Sequence, residues 1–259
     1  MIELKEKTIA AEKGHWYHRD GRPCYQMPRA NGDGMRATTI TDARALRLVP
    51  SVTTITGLIV RPGLQAWKDE QLLIASQTLP RNEGESLDDY CVRVKEDAKA
   101  QGVAAREMGS QLHEAIEKRL RHDFYDAKFE LHIEAVMKLL KQHGIDLENG
   151  QAEHSFASVI GYGGKVDYHN RKQEVLVDFK SKKTIDLLKK IAYFEDHALQ
   201  LAAYAHGIFG HLDVRALNVF IGVEDKKAVA VEWSLFDLES AFEAFKHLLS
   251  AWRILKNFP

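Results

Sequence analysis

The stretch GYGGKVDYHNRKQEVLVDFKSKK, residues 161–183, constrains the fold more than any other part of the chain. Lys165–Tyr168 alternates as a strand does, His169–Lys172 has the polar content of a hairpin turn, and Glu174–Lys180 carries the apolar run of a buried strand. Asp178 and Lys180 stand two apart and therefore share one face of the second strand. Asp167, at the end of the first strand, reaches that face if the two pair antiparallel. Two carboxylates and an ammonium then meet at one sheet end. Close carboxylates repel, and oxygen ligands of this kind suit hard Mg²⁺ or Mn²⁺. A lysine beside such an ion can orient or help activate the attacking water, or stabilise charge on a phosphoryl transition state. Taken alone, Asp-x-Lys is also an ordinary strand end, so the surrounding elements have to decide.

Those elements are a strand over Gln151–Ser158 with Glu153 near its start, and a helix from about Asp196 to Phe209 with Gln200 and Tyr204 at i, i+4 on one face. Upstream, Gly109, His113 and Glu117 share a helix face, with Glu114 beside them. A helical histidine is more often an ordinary polar residue, and His113-Glu-Ala-Ile-Glu117 lacks the second histidine of a zinc-protease motif. In order, however, His113, Asp167, Asp178-Phe179-Lys180 and Gln200-Leu-Ala-Ala-Tyr204 resemble the PD-(D/E)XK nuclease superfamily, and within it the RecB-type branch. The likeness covers roughly residues 101–210. Ser51-Val-Thr-Thr-Ile55 with Pro62-Gly-Leu64 and Trp67 is similar to the N-terminal helical region of phage-encoded and mitochondrial genome-maintenance exonucleases of that branch.

The resemblance implies a restriction-endonuclease-like core, a mixed central β-sheet flanked by helices, with an N-terminal hairpin and helical region. It places an accessory region at 1–100 and the nuclease core at 101–259. It implies a Mg²⁺- or Mn²⁺-dependent DNA exonuclease acting on single-stranded or end-bearing DNA in recombination, repair or replication. Asp167 and Asp178 would hold the metal, helped by His113, Glu153 and the Phe179 carbonyl. Lys180 would act on the water or the developing charge, and Gln200 and Tyr204 would organise the site. Lys182, Lys183, Tyr204 and Gly163 are the expected DNA contacts, and a recombination or single-strand-binding protein fits as a partner. The rival readings are a nuclease-fold DNA-binding module without chemistry, and a scaffold of a recombination complex.

Composition bears on this at three points. A net charge of −1 over 259 residues argues against a histone-like binder but leaves room for a local basic channel. Two separate cysteines, Cys24 and Cys91, exclude within one chain the four-cysteine iron–sulfur cluster that some RecB-type nucleases carry. The opening MIELKEKTIA has no apolar signal region and no 18-residue apolar run occurs, so the expected place is the cytosol of a bacterium or phage-infected cell, with no membrane partner.

Elsewhere the pattern gives a polar hairpin over 14–36 turning at Asp20-Gly21, with Asn31-Gly32-Asp33-Gly34 as a second turn. Trp16, Tyr17 and Tyr25 on it are candidates for base stacking or for core. Ser51 or Thr53 caps a helix that Pro62-Gly63 breaks, and a second helix follows through Ile74. Ser86 opens a helix to about Arg121, interrupted near Gly102. Asp126 opens another with an apolar stripe from Phe129 to Leu140. Gly161, Gly163 and Gly164 are expected to kink the chain and admit a nucleic-acid backbone. Five lysines between 180 and 190, partly on a helix through Leu187–Lys190, offer phosphate contacts. Val214–Val223 and Ala228–Trp233 form a hairpin, and the closing amphipathic helix is expected to pack on the sheet.

Overall fold

The computed structural model describes residues 15–186 and 195–259. The expected helix over Leu187–Lys190, with Lys189 and Lys190, lies outside them. In chain order the elements are β1 (Trp16–Tyr17), β2 (Gln26–Pro28), β3 (Met35–Ala37), α1 (Ile40–Ala45), β4 (Val49–Pro50), α2 (Val52–Thr56), α3 (Pro62–Thr78), α4 (Leu87–Leu120), α5 (Glu130–Gln142), β5 (Gln151–Ser158), β6 (Tyr162–Asn170), β7 (Val175–Lys182), α6 (Glu195–Phe209), β8 (Arg215–Gly222), β9 (Ala228–Trp233) and α7 (Leu235–Lys256). The fold is mixed α/β. No helix among the described residues is long and apolar enough to cross a membrane.

A five-stranded sheet in the order β5-β6-β7-β8-β9 carries the architecture. Its first three strands form an antiparallel meander, β7 and β8 run parallel, and β9 returns antiparallel. A parallel pair needs a crossover, and α6 lies within the one that links β7 to β8. The β6–β7 turn comes later than expected. His169 and Asn170 still pair, with Leu176 and Val175, and the turn is Arg171–Glu174. Asn170 causes the shift: its Oδ1 accepts the backbone N–H groups of Lys172 and Gln173 at 2.9 and 3.2 Å, a side-chain substitute for a backbone turn.

Both faces of β7 are covered. Leu176 joins Val166, Phe156 and Tyr162 in one apolar cluster with Leu201, Ala205 and Ile208 of α6 and Phe245 of α7. Val175, Val177 and Phe179, on the alternate face, are buried as well. Each large side chain so buried contributes about 1.5–3 kcal/mol. α5 packs against β8 and β9. α7 lies chiefly on α6 and α2 rather than on the sheet, because α6 already occupies the sheet face. Tyr162 reaches through to Phe245, ring centroids 4.9 Å apart.

Residues up to Ile59 together with Ala115–Pro259 form one compact unit, and Val60–Glu114 another. The chain therefore does not divide near residue 100. In the second unit Pro62 starts α3 rather than merely ending a helix, since the first turn needs no N–H from it. α4 runs unbroken through Gly102, which lies beside the Trp67 ring. Arg93 clamps the Glu85 carboxylate with two bonds of 2.8 Å and holds its acid at about 2.

The opening hairpin also differs from expectation. The chain does turn at Asp20-Gly21, with one antiparallel bridge from Tyr17 to Pro23, but β1 also pairs with β4, and a second two-stranded ribbon is β2 with β3 around Asn31–Gly34. Two- and three-residue strands take their register from what they pack on, which a short pattern does not encode. Trp16 packs against Trp252 and Phe258 in the core and Tyr17 is buried, so neither is open for base stacking.

Candidate active site

The site lies where β6 and β7 part. Their ladder ends at Tyr168 with Val177, so the next inward N–H of β7 has no backbone acceptor on β6. The Asp167 side chain fills the wedge, and its Oδ2 accepts the Phe179 N–H at 2.7 Å. Asp178 follows in the parallel register opposite Asn218 of β8. It is 2% exposed, and a carboxylate that far from water requires donors. Its Oδ2 receives the Lys180 ammonium at 2.5 Å and the Asn218 Nδ2 at 2.8 Å. Asn218 is itself oriented by Trp233 of β9, whose indole N–H donates to Asn218 Oδ1 at 2.9 Å. One polar relay thus runs across three strands to Asp178.

From the other side, α6 presents Gln200 and Tyr204. Lys180 Nζ donates to Gln200 Oε1 at 3.1 Å, and Gln200 Nε2 donates to Tyr204 Oη at 2.8 Å. The amide orientation is therefore set at both ends: its oxygen faces the cation, its nitrogen the phenol. Tyr204 is buried, and burial together with Asp178 pushes its phenol well above the ordinary range. A buried phenol spent on Gln200 organises the site and presents no surface to DNA.

The electrostatics are those of an undercompensated anionic pair. Burial raises the Asp167 acid well above the usual carboxylate range, the Asp178 charge raises it further, and Lys180 opposes both. His197, on α6, is held down to about 4 by burial and then by the Lys180 charge. It is neutral at ordinary pH and adds no positive charge. The donors that the pair offers are hard oxygens: two carboxylates, with the carbonyl of Phe179 next along the chain from Asp178. That set fits Mg²⁺ or Mn²⁺. Among the described residues, no group of three or more His, Cys, Asp and Glu side chains converges as a metal cage. Any ion here would rest on the pair and on water, which suits Mg²⁺.

The other expected residues fall as follows. His113 is half-buried on α4, within the second unit. Glu153 has its carboxylate on Lys165, a neighbour on β6 that sequence reasoning missed. Gly163 admits protein rather than nucleic acid: a side chain there would stand 2.8 Å from the Tyr17 ring and 2.8 Å from the Phe156 carbonyl. Lys182 is half-buried with its ammonium 5.1 Å from the Phe220 ring centre, while Lys183 is exposed 3.7 Å from Glu224. Asn218 and Trp233 were also missed. The available signal was Asn218 itself, the one polar residue within the run Ala216–Gly222, which a buried strand tolerates only with partners.

No family model matches the chain, and no curated protein matches it. Solved structures do match. One, the crystal structure of SSO0001, aligns over 71% of this chain and 86% of its own, at 14% identity and a TM-score of 0.30. A likeness that slight carries no argument about fold or function.

Proposed function

We propose that the chain is a Mg²⁺- or Mn²⁺-dependent deoxyribonuclease of the PD-(D/E)XK, RecB-type kind, with a restriction-endonuclease-like core. We further propose that it works as an exonuclease on single-stranded or end-bearing DNA. The observation that carries this reading is one unbroken set of contacts at the mouth of the β6–β7 wedge. Asp167 holds the Phe179 backbone, Asp178 holds Lys180, and Lys180 holds the Gln200–Tyr204 pair. A strand end selected only for stability has no use for a buried carboxylate on a lysine with a second, half-buried carboxylate beside them, since removing the charges costs less than pairing them. The element order adds support, because β5, β6 and β7, then α6, then β8 bring an Asp, an Asp-x-Lys and a Gln-x-x-x-Tyr to one place.

Asp167 and Asp178, with the Phe179 carbonyl, are the residues that would hold the ion, which when bound supplies Lewis-acid polarisation of a phosphate. Asn218 and Trp233 keep Asp178 from turning away. Gln200 keeps the Lys180 ammonium at the rim, where it orients the attacking water or meets charge developing on the phosphoryl oxygens. His197 stays neutral beside it and does not compete for the phosphate.

The test is a time course on end-labelled linear and closed circular single-stranded DNA with Mg²⁺, Mn²⁺ or EDTA. Asp178→Asn and Lys180→Met serve as controls. Metal-dependent shortening of the linear strand, reduced at least about 10²-fold in both variants, is the expected result. Cutting of the circle would make the enzyme an endonuclease. Retained DNA binding without cleavage by the wild-type chain under any condition would leave a binding module.

A further inference from the structure

Glu153 stands at a break in the sheet. On either side of it β5 and β6 are in register, Ala152 with Tyr168 and His154 with Val166, so Glu153 falls opposite Asp167 where no pair forms. Its backbone is left-handed, φ +54°, a conformation that a residue with a side chain adopts only where its surroundings impose it. The Glu153 side chain is 12% exposed and its carboxylate touches the Lys165 ammonium. Among the described residues Lys165 is its one ion-pair partner. Burial pulls the Lys165 ammonium down, but Glu153, helped by Tyr25 and Glu117, outweighs it and keeps the lysine charged.

Beside the Asp167–Asp178 pair thus stands a third carboxylate, Glu153, near enough for its charge to raise the Asp167 acid but turned to Lys165 rather than converging on the pair. The two Lys–carboxylate pairs are not equivalent. Asp178 is fixed by Asn218 and, through it, by Trp233. Among the described residues no such brace holds Glu153, and the Lys165 side chain is 44% exposed against 26% for Lys180. A more highly charged cation entering the wedge meets least resistance at Glu153. A lysine displaced from Glu153 in a half-exposed position needs another anion, and the substrate of a nuclease is an anion.

Resting on the nuclease reading above, we propose that Lys165 keeps, on Glu153, the place of a divalent cation, and that its ammonium turns to a phosphate oxygen of the DNA once Glu153 is drawn to that cation. Lys165 is then a second catalytic cation of the site, in contact with substrate only in the metal-loaded state.

Two measurements decide it: Mn²⁺ affinity, from the electron paramagnetic resonance signal of free Mn²⁺, and cleavage of the linear strand. Lys165→Met removes the competitor for Glu153, so Mn²⁺ should bind up to about fivefold more tightly, the scale of one half-exposed ion pair. The same variant should cut roughly 10–100-fold more slowly at saturating DNA, as expected for the loss of one phosphate-directed charge. Lys165→Arg should restore part of the rate. Glu153→Gln should bind Mn²⁺ more weakly and abolish the gain from Lys165→Met. Unchanged or weaker Mn²⁺ binding in Lys165→Met would overturn the exchange and leave a static ion pair. Tighter binding with unaltered cleavage would overturn the phosphate contact. A wild-type chain that binds Mn²⁺ through Asp178 but cuts no DNA refutes the nuclease reading and the phosphate contact together, while the exchange on Glu153 still stands or falls on the Mn²⁺ affinities.

Discussion

Asn218 offers the sharpest quantitative test of how the site is held. Replacing it by alanine removes the amide that donates to Asp178 and the acceptor of the Trp233 indole at one stroke. A hydrogen bond to a charged group is worth about 1.5–3 kcal/mol, and a stranded donor costs about 1 kcal/mol more where water reaches it only in part. Trp233 is half-buried, so the second contribution is taken at the low end. The expected loss is about 2.5–4 kcal/mol, seen as a lower urea midpoint at unchanged slope. Trp233→Phe and the double variant complete a cycle. If the relay exists, the Trp233→Phe cost measured beside Asn218 should largely vanish once Asn218 is alanine, a coupling of about 1 kcal/mol or more. A loss below about 1 kcal/mol, or strictly additive costs, would refute the relay as what fixes Asp178.

Further outcomes follow from other contacts. Gly163→Ala places a methyl 2.8 Å from the backbone carbonyl of Phe156 and from the Tyr17 ring. Backbone cannot yield cheaply, so unfolding should become easier by about 1–3 kcal/mol, with no separate effect on DNA affinity; a selective loss of DNA binding would restore the nucleic-acid role first expected of this glycine. His169 is fully buried, and burial, then His154 and Arg171, hold its imidazolium acid down to about 4, against about 6.5 in the unfolded chain. Between those values the unfolded chain binds more protons. Stability should therefore fall as pH drops through that window, by about 1–2 kcal/mol from pH 7 to pH 5. His169→Leu should flatten this part of the profile, and an unaltered slope in urea titrations would exclude His169 as its source.

Much of the core was legible because it rests on short-range periodicity. The bounds of β5, the i, i+4 placing of Gln200 and Tyr204, and the shared face of Asp178 and Lys180 all follow from a repeat of two or of 3.6 residues. What escaped depends on partners distant in the chain. Tyr17 pairs with Val49 of β4 as well as, by a single bridge to Pro23, within its own hairpin. Asn218 acquires meaning only when β8 is laid parallel to β7, and Lys165 only when β5 turns left-handed at Glu153. Gly163 was readable as a close approach, but not what approaches it, and Gly102, read as a break, lies within a continuous helix. Residue patterns state that a glycine makes room; only the packing states for what.

The aromatic contact of Trp16 with Trp252 and Phe258 has a consequence for the order in which the molecule is made. Contacts of such wide separation along the chain are slow to form, and during synthesis they wait for the later partner to leave the ribosome. The sheet can assemble as soon as β9 is out, but the Trp16 indole of β1 lacks its Trp252 and Phe258 partners until α7 and the residues after it have emerged. β1 is thus among the last of the described strands to be fixed. It remains exposed to chaperones and proteases throughout elongation, and closing it is a late event in maturation of the chain.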